Sequence, residues 1–229
     1  LEWLQKSLEM PTLPRRIESF DISNTGSFGI VAAMTVFVDG KPLKRDYRKF
    51  RITGTDGQDD YGSMHEAVTR RFRRCLEGDE KFAEVPDLLL IDGGAVHAHT
   101  AAAALSELGL TLPVFGMVKD DHHRTRALVS PDGHEIGIVK NQAVFSFIGT
   151  IQEETHRFAI EYHRSLRTGT INSELDRIPG IGEKRRSDLL KHFGSVKSIK
   201  AAGVDELARV IPQNAAQAVY DYFHQEEAK

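Results

Sequence analysis

The sequence has one cysteine, no long apolar run and little net charge, and each shortage excludes a class of protein. Cys75 alone cannot form an internal disulfide or a cysteine-based zinc site, and it is typical of a reducing compartment, so we expect a cytoplasmic protein. No apolar run approaches the ~20 residues that span a bilayer, and no signal peptide is visible, so we expect no membrane partner. The chain begins at Leu1 rather than Met, which indicates a fragment.

Charge is distributed unevenly although the net charge of the 229 residues is only −3. Residues 157–200 hold ten lysines and arginines against five acids, so this segment is strongly basic. A basic segment beside an acidic remainder indicates a phosphate-binding surface next to a cation-binding site, although a run of charge alone is usually a solvated face. The length suits one sizeable core and a small second domain.

The stretch from Pro86 to Gly94 joins an unbroken apolar run to one acid and two glycines. Such a run is typical of a strand covered on both faces, and the helical pattern of residues 95–108 behind it predicts a parallel α/β sheet. Ligand sites of these sheets lie at the carboxyl ends of the strands, where Asp92 stands. Asp92 is therefore either a ligand at the sheet edge or the N-cap of the following helix.

A second acid, Asp21, lies within another short strand, residues 16–23. The β-branched and aromatic residues 28–38 continue the sheet, and Asp39-Gly40 predicts a hairpin turn that brings residues 47–52 back antiparallel. We therefore expect a mixed sheet in which Asp21 and Asp92 lie at neighbouring strand ends. Two carboxylates so placed predict a site for a divalent metal.

Further along the chain, residues 58–76 have the apolar spacing of a helix that starts at Asp59 or Asp60. A carboxylate there suits the positive end of the helix dipole, and Asp60 is alternatively a support for the metal ligands. The last turns carry four arginines that suit either the negative end of the dipole or a phosphate: Arg70, Arg71, Arg73 and Arg74. Residues 112–118 predict another buried strand, followed directly by Lys119.

The longest helical pattern covers residues 141–167, with Gly149 as a possible interruption, and a polar linker is predicted for residues 167–173. His156, Ile160 and His163 share one face of this helix by their spacing. A histidine that faces a sheet is more often a core group than a ligand. Beside two carboxylates at strand ends, His156 is a candidate third ligand, which Glu154 can supplement. The other histidines have no compact zinc-binding spacing.

The segment from Leu175 to Leu190 predicts a helix, a glycine hairpin and a second helix. Two glycines leave backbone N–H groups exposed at the start of the second helix, which favours sequence-independent, salt-sensitive phosphate binding. The candidate DNA-binding residues are Gly180, Ile181, Gly182, Lys184 and Arg185. A similar unit follows from Ala202.

Four motifs occur together in one order: Phe20-Asp21-Ile-Ser, Ile91-Asp92-Gly-Gly, His156-Arg-Phe-Ala-Ile and Pro179-Gly-Ile-Gly. Over essentially all 229 residues the chain resembles the carboxyl-terminal half of the UvrC family, the incision subunits of bacterial nucleotide excision repair. The resemblance implies an α/β fold, with a ribonuclease H-like mixed sheet flanked by helices over residues 1–168. A small all-α tandem helix-hairpin-helix domain is implied over residues 169–229.

The resemblance further implies a metal-dependent endodeoxyribonuclease that makes the cut 5′ to a DNA lesion. Asp21, Asp92 and His156 match the catalytic triad, and we expect two Mg²⁺ or Mn²⁺ ions about 3.5–4 Å apart, with Asp21 bridging. Lys119 is either a contact of the scissile phosphate or an exposed lysine. The implied partners are damaged double-stranded DNA and UvrB, with UvrA upstream in the pathway, and we expect a monomer.

Two departures and two rival hypotheses accompany this interpretation. The family usually has Arg-Asp-Glu before the histidine, where this chain has Gln152, Glu153 and Glu154, so contacts behind the metal ligands are in doubt. The second hairpin, residues 211–216, has no glycine and should hold phosphate less well. The rivals are a non-catalytic DNA-binding scaffold and another ribonuclease H-like repair nuclease. The retained triad argues against the first, and the tandem hairpins with the His156-Arg-Phe-Ala-Ile motif favour UvrC over the second.

Overall fold

The computed structural model describes residues 1–24, 30–54, 59–175 and 177–224, with the side chains of all of these except 24, 162–174 and 183. The chain divides into two compact units, Leu1–His163 and Arg164–Lys229. Each unit is described by itself. The predicted domain boundary between residues 168 and 169 stays a prediction.

The first unit is built on a mixed β-sheet in the order β3-β2-β1-β5-β6-β7-β8, with β4 also paired to β2. The elements in chain order are α1 (Glu2–Ser7), β1 (Arg16–Asn24), β2 (Ile30–Val38), β3 (Lys41–Pro42), β4 (Arg48–Arg51), α2 (Asp60–Leu76), β5 (Leu88–Asp92), α3 (Ala95–Glu107), β6 (Val114–Lys119), β7 (Thr125–Val129), β8 (Glu135–Gly137) and α4 (Gln142–Leu175). Strands β1, β5 and β6 are parallel, whereas the outer pairs are antiparallel. The predicted mixed sheet is confirmed.

Two apolar layers cover the sheet because alternate side chains of its strands point to opposite faces. In β5, Leu89 and Ile91 pack with α2 and α3, whereas Leu88 and Leu90 pack with α1 and α4. All four of these side chains are fully buried, as an unbroken apolar run predicts for a central parallel strand. The sheet therefore has helices on both faces, and its strand ends remain the place for a site.

Three sequence expectations about element limits are corrected. The helical spacing of Leu1, Leu4 and Leu8 predicts a helix over residues 1–12, whereas the first helix ends at Ser7. Gly149 does not interrupt α4, which continues to Leu175 through the residues predicted as a linker. A two-residue strand, Lys41–Pro42, directly follows the Asp39-Gly40 turn and pairs with β2. The return strand β4 pairs with β2 further along the chain, so the return after the turn consists of two segments.

One of the four arginines of α2 lies in the core. Arg71 is fully buried and donates to both carboxylate oxygens of Glu18 on β1, over 2.9 Å each, and to the carbonyl oxygens of Phe82 and Glu84. A buried charge requires a partner of this kind, because an unpaired one would be strongly destabilising. Arg71 is therefore a structural residue and is not available to a phosphate.

The second unit is all-α over its described residues. Its helices beyond the end of α4 are α5 (Glu183–Phe193), α6 (Val196–Ala201), α7 (Val204–Leu207) and α8 (Gln213–His224). A single apolar cluster holds them together, with Leu189, Leu207, Ala216 and Val219 fully buried. Among the described helices of the whole chain, none has the length and apolarity to cross a bilayer.

Candidate metal centre

The two predicted carboxylates lie side by side at the edge of the sheet. Strands β1 and β5 are parallel with Phe20 opposite Ile91, so Asp21 and Asp92 are the next residues of each strand in the same register. Asp21 is 6% exposed, and the side chain of Asp92 is 7% exposed. Asp92 does not cap α3, because Gly94 occupies the N-cap position. The capping interpretation of Asp92 is therefore wrong.

Helix α4 brings His156 to the two acids. Its Nδ1 lies 3.1 Å from Oδ2 of Asp21, and the imidazole side chain is 55% exposed at the surface of the unit. One ligand atom from each of Asp21, Asp92 and His156 lies within 4.8 Å of the others. The side chain of His163, which the sequence placed on the same helix face, lies outside the described residues.

Buried hydroxyl groups fix the part of α4 that carries His156. The Oγ1 atoms of Thr155 and of Thr35 on β2 lie 2.6 Å apart, and Thr155 also donates to the carbonyl oxygen of Ile151 over 2.7 Å. Gln152 accepts a hydrogen bond from Thr125 over 2.9 Å. The residue that departs from the family pattern at 152 therefore anchors the helix on β7.

Lys119, the last residue of β6, is the cation of this site. Its Nζ lies 2.8 Å from Oδ1 and 2.9 Å from Oδ2 of Asp92, and only the Oδ2 contact has the angles of a hydrogen bond. The buried Oδ1 atom of Asp92 thus accepts no hydrogen bond from the described residues. Although the Lys119 ammonium lies beside this oxygen, its lone pairs accept no hydrogen bond and can therefore coordinate a further cation.

The pKa of Asp21 shows how strongly this cluster disfavours two negative charges. Burial, followed by repulsion from Asp92, raises the pKa of Asp21 to about 6, although the hydrogen bond from His156 and the charge of Lys119 oppose this rise. A divalent cation removes both causes at once, because it replaces the lost hydration and screens the two carboxylates from each other. Two carboxylates and one imidazole also form a donor set that suits Mg²⁺ or Mn²⁺, so the residues fit a divalent metal.

The two acids expected to support the metal ligands also have other contacts, and their supporting role stays a prediction. Asp59 caps α2 by accepting from the N–H of Gly62 over 2.8 Å, so Asp60 is the first residue of the helix. The charge of Asp60 acts on His97 of α3. Glu154 pairs with Arg157 over 2.8 Å and accepts from the hydroxyl of Tyr47.

Sequence reasoning missed the close packing behind Asp92. Gly93 has φ +154°, and any Cβ atom there would overlap the ring of His97. Gly116 of β6 lies against the carbonyl oxygens of Gly93 and Gly94. A Cβ atom at position 116 would lie only 2.9 Å from the carbonyl oxygen of Gly94. The position of His97, three residues after the Asp-Gly-Gly motif, was the available signal, because it puts the ring in the first turn of α3.

The glycine hairpin of the second unit has the expected local geometry. Gly180 has φ +87°, and Gly182 is the N-cap of α5, whose first backbone N–H groups have no partner within the helix. Arg185 donates to the carbonyl oxygen of Gly180 over 2.6 Å. An open cavity there is lined by all five candidate DNA-binding residues, together with Arg177, Ile178 and Pro179.

Comparison with known proteins gives matches over both units. Residues 5–160 match the family model described as the UvrC RNAse H endonuclease domain, and residues 173–223 match that of the SAM-like helix-hairpin-helix tandem. UvrABC system protein C of Acetivibrio thermocellus is 46% identical over 245 residues, which cover 99% of this chain and 39% of that protein. The same protein of Ruminiclostridium cellulolyticum is 46% identical over 230 residues, covering 96% and 37%.

The chain thus spans about two fifths of the length of these curated relatives. A crystal structure of Ciona intestinalis endonuclease V with inosine-containing DNA matches 52% of this chain and 57% of that chain, at 14% identity. Its TM-score of 0.36 is too low to carry an argument. The resemblance expected from the four motifs is confirmed by the family match alone: the chain belongs to the family of UvrC ribonuclease H endonuclease domains, followed by a tandem helix-hairpin-helix domain.

Proposed function

We propose that this chain is the half of an excision repair protein that cuts DNA 5′ to a lesion, by metal-dependent hydrolysis of a phosphodiester bond. One observation carries the proposal: Asp21, Asp92 and His156 bring three ligand atoms within 4.8 Å of one another at the ends of adjacent parallel strands. Membership of the UvrC endonuclease family supports the same reaction.

The chemistry follows from what the three side chains can hold. Bound divalent metal, Mg²⁺ or Mn²⁺, would activate the attacking water and stabilise negative charge on the reacting phosphate. Asp21 and Asp92 are fixed by their strands, and His156 is fixed by α4, so the ligand set is preorganised. The imidazole ligand favours Mn²⁺ over Mg²⁺, because it is softer than a carboxylate oxygen.

Lys119 supports the reaction by its position next to Asp92. Its ammonium group neutralises Asp92 when no other cation does so, at 2.8–2.9 Å from the two carboxylate oxygens. With a divalent metal held by Asp92, the ammonium group of Lys119 would be available to contact a non-bridging oxygen of the scissile phosphate. Its exposed end, in the open cavity that also contains Asp21 and His156, suits this role.

Damaged double-stranded DNA is the proposed substrate, and UvrB is the proposed partner protein. The hairpin of the second unit supports DNA binding through the phosphate backbone, because it offers backbone N–H groups and the cations Lys184 and Arg185. Lesion recognition belongs to the partners, since neither phosphate contacts nor the metal centre distinguish one base from another.

The test is the incision of a pre-nicked, damaged duplex by the full-length protein with its partner subunits, in Mg²⁺ and in Mn²⁺. Asp92→Asn keeps the shape of the side chain and removes the charge that holds a metal, so we expect the 5′ cut to fall by at least about a hundredfold with DNA binding retained. Undiminished 5′ cutting would refute the assignment.

Asp121→Asn is the matched control, because Asp121 is an exposed acid two residues after the end of β6. It should cut like the wild type. The rival hypothesis of a non-catalytic scaffold predicts that Asp92→Asn and Asp121→Asn behave alike, so the same pair of variants separates the two functions.

A further inference from the structure

A second concentration of positive charge lies on the nuclease unit itself, in a groove beside β4. We call it the β4 groove; its volume is about 610 Å³ and its floor holds the rings of Phe50 and Phe82. Six cations line it: Arg45, Arg48, Lys49, Arg70, Arg74 and Lys81. The arginines of α2 were candidate phosphate contacts in the sequence, but the cluster as a whole was not predictable, because its other members come from the turn Lys44–Asp46, from β4 and from the turn Glu80–Phe82.

Several of these cations are held in place by groups that leave their charge intact. The guanidinium of Arg48 donates to the carbonyl oxygens of Arg45, Tyr47 and Lys81, over 2.8–3.0 Å. The guanidinium of Arg74 lies 5.1 Å from the centre of the Phe82 ring, within the range of a cation–π contact. Neither kind of contact neutralises the positive charge.

Acids near the groove are too few to balance it. Among the residues that the structure describes, no carboxylate lies within 4 Å of the side-chain cation of Arg48, Arg74 or Lys81. Three of the other cations have acids near them: Arg70 pairs with Glu66 over 3.0 Å, Arg45 lies 3.8 Å from Asp46, and the charge of Glu161 acts on Lys49. Fixed cations without acidic partners repel one another unless an anion binds between them. The rings of Phe50 and Phe82 are only 3% and 4% exposed, so the groove offers no aromatic face on which a base could stack. The ligand is therefore recognised by its charge.

The register of the sheet connects this groove to the metal centre. Asp21 of β1 stands opposite Ala33 of β2, which stands opposite Lys49 of β4. Two strand spacings separate Asp21 from Lys49, about 10 Å in all. Lys49 also lies over the ring of Phe158, at 4.2 Å from its centre, and Phe158 follows His156 by two residues on α4. The groove thus begins about 10 Å from the site of cutting.

We propose that the β4 groove binds the phosphate backbone of the DNA that flanks the scissile phosphate. This inference rests on the proposed function for the identity of the anion. Successive phosphates of one strand are 3.4 Å apart along the helix axis, so about 10 Å corresponds to about three nucleotides from the cut. The groove gives the nuclease unit a DNA contact of its own, which sets the register of the strand at the metal centre.

The test measures the binding of a 20-base-pair duplex to the purified chain by fluorescence anisotropy, in EDTA and over a range of salt concentrations. Arg48→Gln/Arg74→Gln should bind about tenfold more weakly, and the slope of log K against log salt should fall by about 2, since each lost phosphate contact removes about 0.9. Lys6→Gln/Lys140→Gln removes the same charge from exposed positions outside the groove and should match the wild type.

A second pair of substitutions protects the test from a loss of folding. Arg74→Gln/Lys81→Gln removes two exposed cations and leaves the three carbonyl contacts of Arg48 intact, so it should weaken binding similarly while the melting temperature stays unchanged. Both double variants are also measured in a chain that carries Lys184→Gln/Arg185→Gln, so that DNA binding by the glycine hairpin cannot mask a loss of DNA binding by the groove.

Wild-type affinity and salt slope for both groove doubles, in both backgrounds, would overturn this inference. Such a result would leave the proposed function standing, because that function is decided by incision with Asp92→Asn. Conversely, normal incision by Asp92→Asn together with weakened binding by the groove doubles would refute the metal centre and keep the groove as a DNA-binding surface.

Discussion

The position of Asp21 in the candidate metal centre lowers the stability of the metal-free fold at neutral pH. It is almost completely buried beside a second carboxylate, and burial together with Asp92 raises its pKa from the ordinary 3.8 to about 6. The folded state therefore binds more protons than the unfolded chain between about pH 4 and pH 6. Stability falls as the pH rises through that window, and the loss is complete above it.

Asp21→Asn should therefore stabilise the metal-free chain at neutral pH. The shift corresponds to up to about 3 kcal/mol, and the gain should be seen in urea unfolding at pH 7.5 in EDTA. The gain should shrink as the pH is lowered towards 5, because the wild-type carboxyl is then increasingly protonated. Asp121→Asn, at an exposed site, should change stability by less than about 0.5 kcal/mol. An equal gain at both pH values would contradict the argument.

The residues of the metal centre were predictable because each stands next to a strong local pattern. An apolar run followed by Asp92 and two glycines indicates a strand end. The strand that holds Asp21 is indicated by the hairpin that follows it, in which β-branched and aromatic residues lead to the Asp39-Gly40 turn. The contact between Lys119 and Asp92 was not predictable, since it joins residues 27 positions apart on different strands. The burial of Arg71 against Glu18, 53 positions away, was hidden for the same reason.

Arg71 lets the buried ion pair be tested against a neighbour on the same helix. Arg71→Met leaves the buried Glu18 with Arg16, 3.1 Å away, as its remaining cation, which should cost about 3 kcal/mol of the free energy of unfolding, the lower end of the range for a broken buried pair. Arg73→Met, at an exposed position two residues on, should change it by less than about 0.5 kcal/mol. Equal effects in urea unfolding would show that the pair does not anchor α2 to β1.

At the scale of elements, α4 is the part that sequence reasoning placed correctly and bounded wrongly. The apolar spacing identified the helix, but Gly169 and the polar residues around it suggested a linker at 167–173, and the helix continues to Leu175. A glycine inside a helix costs about 1 kcal/mol relative to alanine, which one extended run of backbone hydrogen bonds can offset. The contact between the hydroxyl groups of Thr35 and Thr155, which fixes α4 on the sheet, also has no signal in the local sequence.

That hydroxyl contact predicts a non-additive pair of substitutions. The proton of Thr155 goes to the carbonyl of Ile151, so Thr35 is the donor in the 2.6 Å contact between the two hydroxyls. Thr155→Val leaves the buried Thr35 hydroxyl without its acceptor and should cost about 1–3 kcal/mol in urea unfolding. Thr35→Val/Thr155→Val replaces both partners and should recover most of that loss. Additive losses would mean that packing, not the hydrogen bond, holds α4 at this point.

At the scale of the whole molecule, the chain has separate apolar cores for its two units. The sheet carries two buried clusters, one on each face, and the helices α5–α8 share a third with Leu175 and Ile178. Among the described residues, these clusters have no member in common. Stability gained in one unit should therefore not be transmitted in full to the other.

Peptide-resolved hydrogen exchange tests this independence with one ligand and one core substitution. Mn²⁺ at a hundred times its dissociation constant should raise the opening free energy of β1 and β5 by about 2.7 kcal/mol, if the metal binds only the folded unit, and should leave α5 and α8 unchanged. Leu189→Ala, at a fully buried position of α5, should lower protection in α5–α8 by about 2–5 kcal/mol and spare the sheet. Asp92→Asn is the control that should abolish the effect of Mn²⁺. Equal changes in both units would show that they unfold as one, because only a shared cooperative transition carries a local stabilisation from the metal centre to the hairpin helices.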